Sequence, residues 1–256
     1  MNSNNRIIVS LTSFGAYEVR RHGQGWFVDL CRQAGADGVE IRGELLQGHA
    51  TELDELACIV RDTGLDCVYS SPEMLWNVSG ALDLVALDRG LASARTLNAP
   101  VLKMSIGGFS ADSKDSFALL AQKLEPSGVR LLIENDQTVS AGSVHAMQAF
   151  FELADQVGLT LGMTFDMGNW HWVGECPVQA AALFAARVRY VHCKGVQRQP
   201  NRWVAVPLAE SAAPWRSIFR AMPQDVPRAI EYPLMGEDLL AVTRAEIAQL
   251  RSIAVS

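Results

Sequence analysis

Four residues suited to metal ligation or proton transfer stand at the ends of short apolar runs in the second half of this 256-residue chain. Glu134 follows Val129–Ile133, Asp166 follows Leu159–Phe165, His192 lies in Val188–Lys194, and Glu231 follows Ala229-Ile230. Taken singly, each reads equally well as a strand-end acid or a satisfied core histidine. Together they are spaced by 32, 26 and 39 residues (134 to 166 to 192 to 231), about one strand–helix unit each. Three oxygen donors and one nitrogen donor on successive strands suit a fairly hard divalent cation, Mn²⁺, Mg²⁺ or Co²⁺, with Zn²⁺ also compatible. Such an ion, chelating a carbonyl and its neighbouring hydroxyl, would polarise the C=O and favour removal of the adjacent C–H proton, giving an enediolate.

The elements needed to bring these residues together can be read from periodicity. Strand-like runs are expected at Arg6–Thr12, Val39–Arg42, Asp66–Ser71, Val101–Ile106, Val129–Asn135, Leu159–Asp166, Val188–Lys194 and Ala229–Tyr232. Helical patterns fall between them, around Trp26–Cys31, from a Thr51-x-x-Asp54 capping box to Arg61, and at Ala81–Leu97, Ala111–Leu124, Val144–Val157, Val178–Ala186, Trp215–Met222 and Asp238–Ile253. The segments holding Glu73 and Trp76, and Gln197 to Trp203, are expected as loops. Eight strands alternating with eight helices imply a parallel sheet, and that count favours a single closed (β/α)8 barrel, with residues 1–5 as a frayed tail. All four residues would then sit at carboxyl ends of adjacent strands, where barrel enzymes place their chemistry.

Period-two alternation puts Glu40 and Arg42 on one strand face, and Lys103 interrupts an apolar strand. Arg42, Lys103, Lys194 and His171 are therefore expected to face the mouth, favouring an anionic substrate. An internal Lys103–Glu40 pair is the alternative for Lys103. Asn135, Gln137 and Asn169 could bond substrate hydroxyls, and Trp170, Trp172 and Trp203 could wall a sugar face.

A net charge of −6 argues against a phosphate-backbone footprint, so nucleic acid is not an expected partner. Five scattered cysteines without a Cys-x-x-Cys pair, and a polar start lacking a signal-peptide core or membrane span, lead to the expectation of a cytoplasmic protein with no membrane partner.

With Gly38–Arg42, Ile133–Asn135, Phe165–Asn169, Tyr190–Lys194 and Ile230–Tyr232 in place, the chain resembles the sugar phosphate isomerase and epimerase family, the xylose-isomerase-like barrels. Within that family it is most similar to epimerases of bacterial 2-ketogluconate utilisation operons. The resemblance implies a metal held by Glu134, Asp166, His192 and Glu231, with Glu134 and Glu231 doubling as acid and base, and a sugar, keto-sugar acid or sugar phosphate as substrate. It also implies that homo-oligomers are common. Asn169 stands where several relatives carry a histidine, which His171 replaces only at a displaced position. Related barrels that dehydrate inosose or dehydroshikimate supply a lyase alternative, and a non-catalytic sugar-binding barrel is a third. A nuclease of the same superfamily is disfavoured by the acidic charge and by Asn169.

Overall fold

The computed structural model describes residues 6–253; the frayed tail expected over residues 1–5 lies outside the described residues. In chain order the strands are β1 (Ile7–Ser10), β2 (Gly38–Arg42), β3 (Asp66–Trp76), β4 (Val101–Gly107), β5 (Arg130–Glu134), β6 (Gly162–Asp166), β7 (Val188–Cys193), β8 (Gly195–Gln199), β9 (Arg202–Val206) and β10 (Arg228–Ile230). Eight of these form a closed parallel barrel in the order β1-β10-β7-β6-β5-β4-β3-β2, while β8 and β9 pair as a separate antiparallel hairpin. A helix follows each barrel strand and covers its outer face, giving a (β/α)8 barrel. Among the described residues, no helix is long and apolar enough to cross a membrane.

The barrel interior is built in tiers. Strand register and period-two alternation direct one set of side chains inward, and odd and even barrel positions contribute alternate levels. The lowest tier, Ile8, Val68, Leu132 and Tyr190, forms with Ala229 a small buried cluster that plugs the barrel. The next carries Glu40, Lys103 and Thr164 around Ala229, and the one above it Ser10, Ser70, Glu134 and His192. Arg42, Ser105, Asp166 and Glu231 form the top. From the second tier upward the interior is polar, so the apolar core is carried by the layer between strands and helices, where Ile7, Val9, Val39, Ile41, Ile133, Phe165 and Val191 are fully buried.

Three local expectations change. β3 runs on to Trp76: after a register shift between Ser70 and Met74, it pairs Met74 with Ser105 and Trp76 with Gly107. The polar residues that read as a loop are tolerated because this extension carries Trp76 into the core. Trp76 packs edge-on against Phe109, Phe117 and Phe150 and donates its indole N–H to Ser116 Oγ at 2.9 Å. The segment from Gln197 to Trp203 is the β8–β9 hairpin, not a loop. The capping box at Thr51 does not form. Glu52 instead accepts from the Gln47 and Gly48 amides, while the Thr51 hydroxyl donates to Glu55. Replacing Trp76 with Ala should lower unfolding stability by about 3–5 kcal/mol, the cost of an aromatic-sized core cavity, as read from urea denaturation.

Candidate active site

Glu134, Asp166 and His192 lie on β5, β6 and β7 and Glu231 directly follows β10, four adjacent strands, and their ligand atoms lie within 4.8 Å of one another. His192 Nδ1 is the point of convergence: Glu231 Oε2 lies at 2.8 Å, Glu134 Oε1 at 3.0 Å and Asp166 Oδ2 at 3.8 Å. Asp166 is aimed by the turn after β6, whose Gly168 and Asn169 amides donate to Oδ1 at 2.8 and 2.9 Å. That leaves Oδ2 facing the cluster, 2.6 Å from the Lys194 ammonium but without a directed hydrogen bond. Asn135 braces the same turn, bonding both the amide and the carbonyl of Asp166. Three carboxylate oxygens and one imidazole nitrogen converging with an undercommitted oxygen fit a divalent ion.

Sequence reasoning gave Glu40 no role in this site beyond a pairing with Lys103. Its Oε2 lies 2.7 Å from His192 Nε2, on the side of the ring away from the other three acids. A carboxylate there fixes the tautomer in which Nδ1 is free to ligate, the usual support for a metal-binding histidine. The signal was present in the acidic residue alternating with Arg42 on a strand that faces the barrel axis.

The expected cations sit within this network. Lys103 is 1% exposed and lies between Glu40 (3.2 Å) and Glu134 (3.0 Å), the internal pairing that was the alternative for it. Arg42 spans Glu40, Glu231 and, at the rim, Glu44. Lys194 contacts Asp166 and Glu231 and donates to Asn169 Oδ1 at 3.0 Å, an oxygen that also accepts from Gln137. His171 lies half-buried with its ring 4.8 Å from that of Trp203 on the hairpin, and burial pushes its pKa down. Trp170, by contrast, is fully buried against Phe165 and Phe184, in the core and away from the mouth.

Burial alone would raise every carboxylate here, yet neighbouring charge outweighs it at three of them. His192 and Lys103 hold Glu40 well below its ordinary value, His192 and Lys194 do so for Glu231, and Lys103 and His192 lower Glu134. For Asp166 burial prevails and the pKa rises. Burial opposes protonation of His192, but Glu231, Glu40 and Glu134 carry its pKa well above the ordinary value.

Beside Glu231 a pocket of about 300 Å³ opens between Arg42, Gln137, Lys194, Tyr232 and Ala205 of the hairpin, the small end of the range for ligand sites. A larger groove of about 1000 Å³ lies at the opposite end of the barrel, among the starts of β5 to β7, away from the cluster.

The fold is a (β/α)8 barrel whose convergent acid and histidine cluster lies at the carboxyl ends of its strands, where barrel enzymes place their chemistry. The xylose isomerase-like TIM barrel family matches residues 28–253, and the chain belongs to that family. No protein with a curated description matches the sequence. Among solved structures, the chain is similar to a D-psicose 3-epimerase from Clostridium cellulolyticum H10, solved with D-tagatose (14% identity, 97% of this chain and 99% of that one, TM-score 0.70). It is also similar to the probable 3-DHS dehydratase AsbF of Bacillus anthracis (17%, 96% and 98%, TM-score 0.66) and to the IolI protein with a bound zinc atom (14%, 96% and 98%, TM-score 0.67). At these identities the likeness is one of fold.

Because a proton held on His192 competes with an ion at Nδ1, divalent-metal affinity should rise with pH until the pH passes the raised pKa of His192, and binding below that point should release a proton. In the same calorimetric titration, Glu40→Gln should bind Mn²⁺ about 10–100-fold more weakly than the unaltered protein.

Proposed function

We propose that this barrel is a metal-dependent sugar isomerase or epimerase whose substrate is a keto-sugar acid or sugar phosphate, with Glu134 and Glu231 as the acid–base pair. The observation that carries this reading is the approach of the two glutamates to a single point, His192 Nδ1, from strands separated by β6 and β7. Glu134, Asp166, His192 and Glu231 would hold the ion, with Mn²⁺, Mg²⁺ and Co²⁺ the best match to the donor set and Zn²⁺ next. The ion would supply Lewis acidity to a substrate carbonyl and its neighbouring hydroxyl.

The chain's own residues account for the rest. Glu134 and Glu231 have lowered pKa values, so each is available as a carboxylate base at neutral pH. Each is also held by a cation, Glu134 by Lys103 and Glu231 by Arg42, which restricts its orientation. A proton leaves the substrate carbon to one glutamate and returns from the other, which must start the cycle protonated; exchange with solvent resets the pair.

Charge balance supports an anionic substrate. The cluster sets four carboxylates (Glu40, Glu134, Asp166, Glu231) against three fixed cations (Arg42, Lys103, Lys194). With a divalent ion bound, His192 neutral and one of the two glutamates protonated as the cycle requires, the three remaining carboxylates balance the three cations, and the charge of the ion is left for a substrate carboxylate or phosphate to offset.

The test is exchange in D₂O. Mn²⁺-loaded protein is incubated with 2-ketogluconate, its 6-phosphate, common ketohexoses and dehydroshikimate, and followed by proton NMR and mass spectrometry. One deuterium should enter next to the carbonyl of the true substrate with the skeleton conserved. Glu134→Gln and Glu231→Gln should each slow that exchange by about 100-fold or more. Loss of water would reassign the reaction to dehydration, and exchange with none of these compounds would remove this reading.

A further inference from the structure

The three cations of the cluster differ in what they hold. Lys103 contacts Glu134 but also Glu40, and is almost fully enclosed. Arg42 contacts Glu231 but is tied as well to Glu40 and Glu44. Both carboxylate partners of Lys194, by contrast, belong to the candidate ligand set: its Nζ lies 2.6 Å from Asp166 Oδ2 and 2.8 Å from Glu231 Oε2. The ammonium therefore sits on oxygens that a divalent ion would need. Lys194 also lines the 300 Å³ pocket.

The stem of this side chain is fixed while its head has somewhere to go. A Cβ at Gly168 would stand 2.9 Å from Lys194 Cγ and Cδ and 3.0 Å from Val196 Cγ1, so the stem lies directly on the backbone of the turn that aims Asp166. Gly168 has an ordinary helical φ of −89°, which any residue adopts; close approach, not backbone conformation, accounts for the glycine here. The head is steered by Asn169 Oδ1 at 3.0 Å, and Gln137, which donates to the same oxygen, borders the pocket.

We propose that Lys194 is an internal counter-cation of the metal site. It pairs Asp166 and Glu231 while no ion is bound, yields both carboxylates to the ion, and turns into the adjoining pocket to pair with the anionic group of the substrate. Ion binding thus frees a cation beside the pocket, and recognition of a substrate anion follows occupation of the metal site. This rests on the metal-dependent reading above.

The experiment compares the unaltered protein with Lys194→Met and Lys194→Gln, which keep an extended stem without the charge, and with Lys194→Arg, which keeps it. Mn²⁺ affinity is measured by calorimetry, thermal unfolding with and without Mn²⁺, and affinity for 2-ketogluconate against D-fructose on loaded protein. Removing the competing cation should tighten Mn²⁺ binding by about tenfold or more. It should also lower the metal-free melting temperature and enlarge the Mn²⁺-induced stabilisation. The preference for the sugar acid over the neutral ketose should fall by about tenfold, while Lys194→Arg shows no gain in Mn²⁺ affinity. A purely structural lysine would destabilise both forms equally and leave Mn²⁺ affinity unchanged or weaker; that result in the folded Met and Gln variants overturns the proposal. Failure of the unaltered protein to bind Mn²⁺ at all would overturn the metal-dependent reading, and this inference with it.

Discussion

Carboxylates buried at close range repel one another and lose their hydration, and this cost governs the interior of the barrel. Glu40 and Asp166 are fully buried, with Glu231 nearly so. Without compensation these acids would take up protons and cease to be useful as ligands or bases. The fold answers with Lys103 and Lys194 inside the ring of acids, Arg42 across its rim, and an imidazole at its centre. What results is an ionised cluster in a low-dielectric setting, held by many short contacts in place of any single strong one.

The tiers of the barrel make that arrangement constructible. An apolar plug of Ile8, Val68, Leu132 and Tyr190 closes the lower end, and only above it do charged side chains begin. Even-position strands place Glu40 and Lys103 one level below the odd-position Glu134 and His192, so the supporting charges lie beneath and between the groups they support. A one-residue slip in any of these strands would turn its inward side chains outward, which ties the geometry of the cluster to strand register. The aromatic cluster around Trp76 and the backbone pairing of the extended β3 protect that register on one side of the barrel.

Much of this was legible in the sequence because barrel strands keep strict alternation and place chemistry at their ends. That Glu134, Asp166, His192 and Glu231 would converge followed from residue type and spacing, and the alternation of Glu40 with Arg42 marked an inward-facing charged strand. What sequence could not supply was pairing across the barrel. Glu40 and His192 are 152 residues apart, and only closure brings them to 2.7 Å. Lys103 illustrates the same limit, since an inward lysine can reach a substrate or neutralise two acids, and periodicity is identical in both cases. The hairpin after β7 was missed because its Gln, Arg and Asn residues carry weak strand propensity; its pairing is held by β8–β9 register and by Val196 packing on Gly168.

The proposed metal centre places one divalent ion among the four strand-end residues. The most direct measurement is a crystal structure of Mn²⁺-soaked protein with anomalous data collected above the manganese edge. A single anomalous peak about 2.0–2.4 Å from Glu134, Asp166, His192 Nδ1 and Glu231 is expected, distances typical of oxygen and nitrogen ligation of a divalent ion. No peak at saturating Mn²⁺, or a peak elsewhere with the Asp166–Lys194 and Glu231–Lys194 pairs intact, would contradict the account.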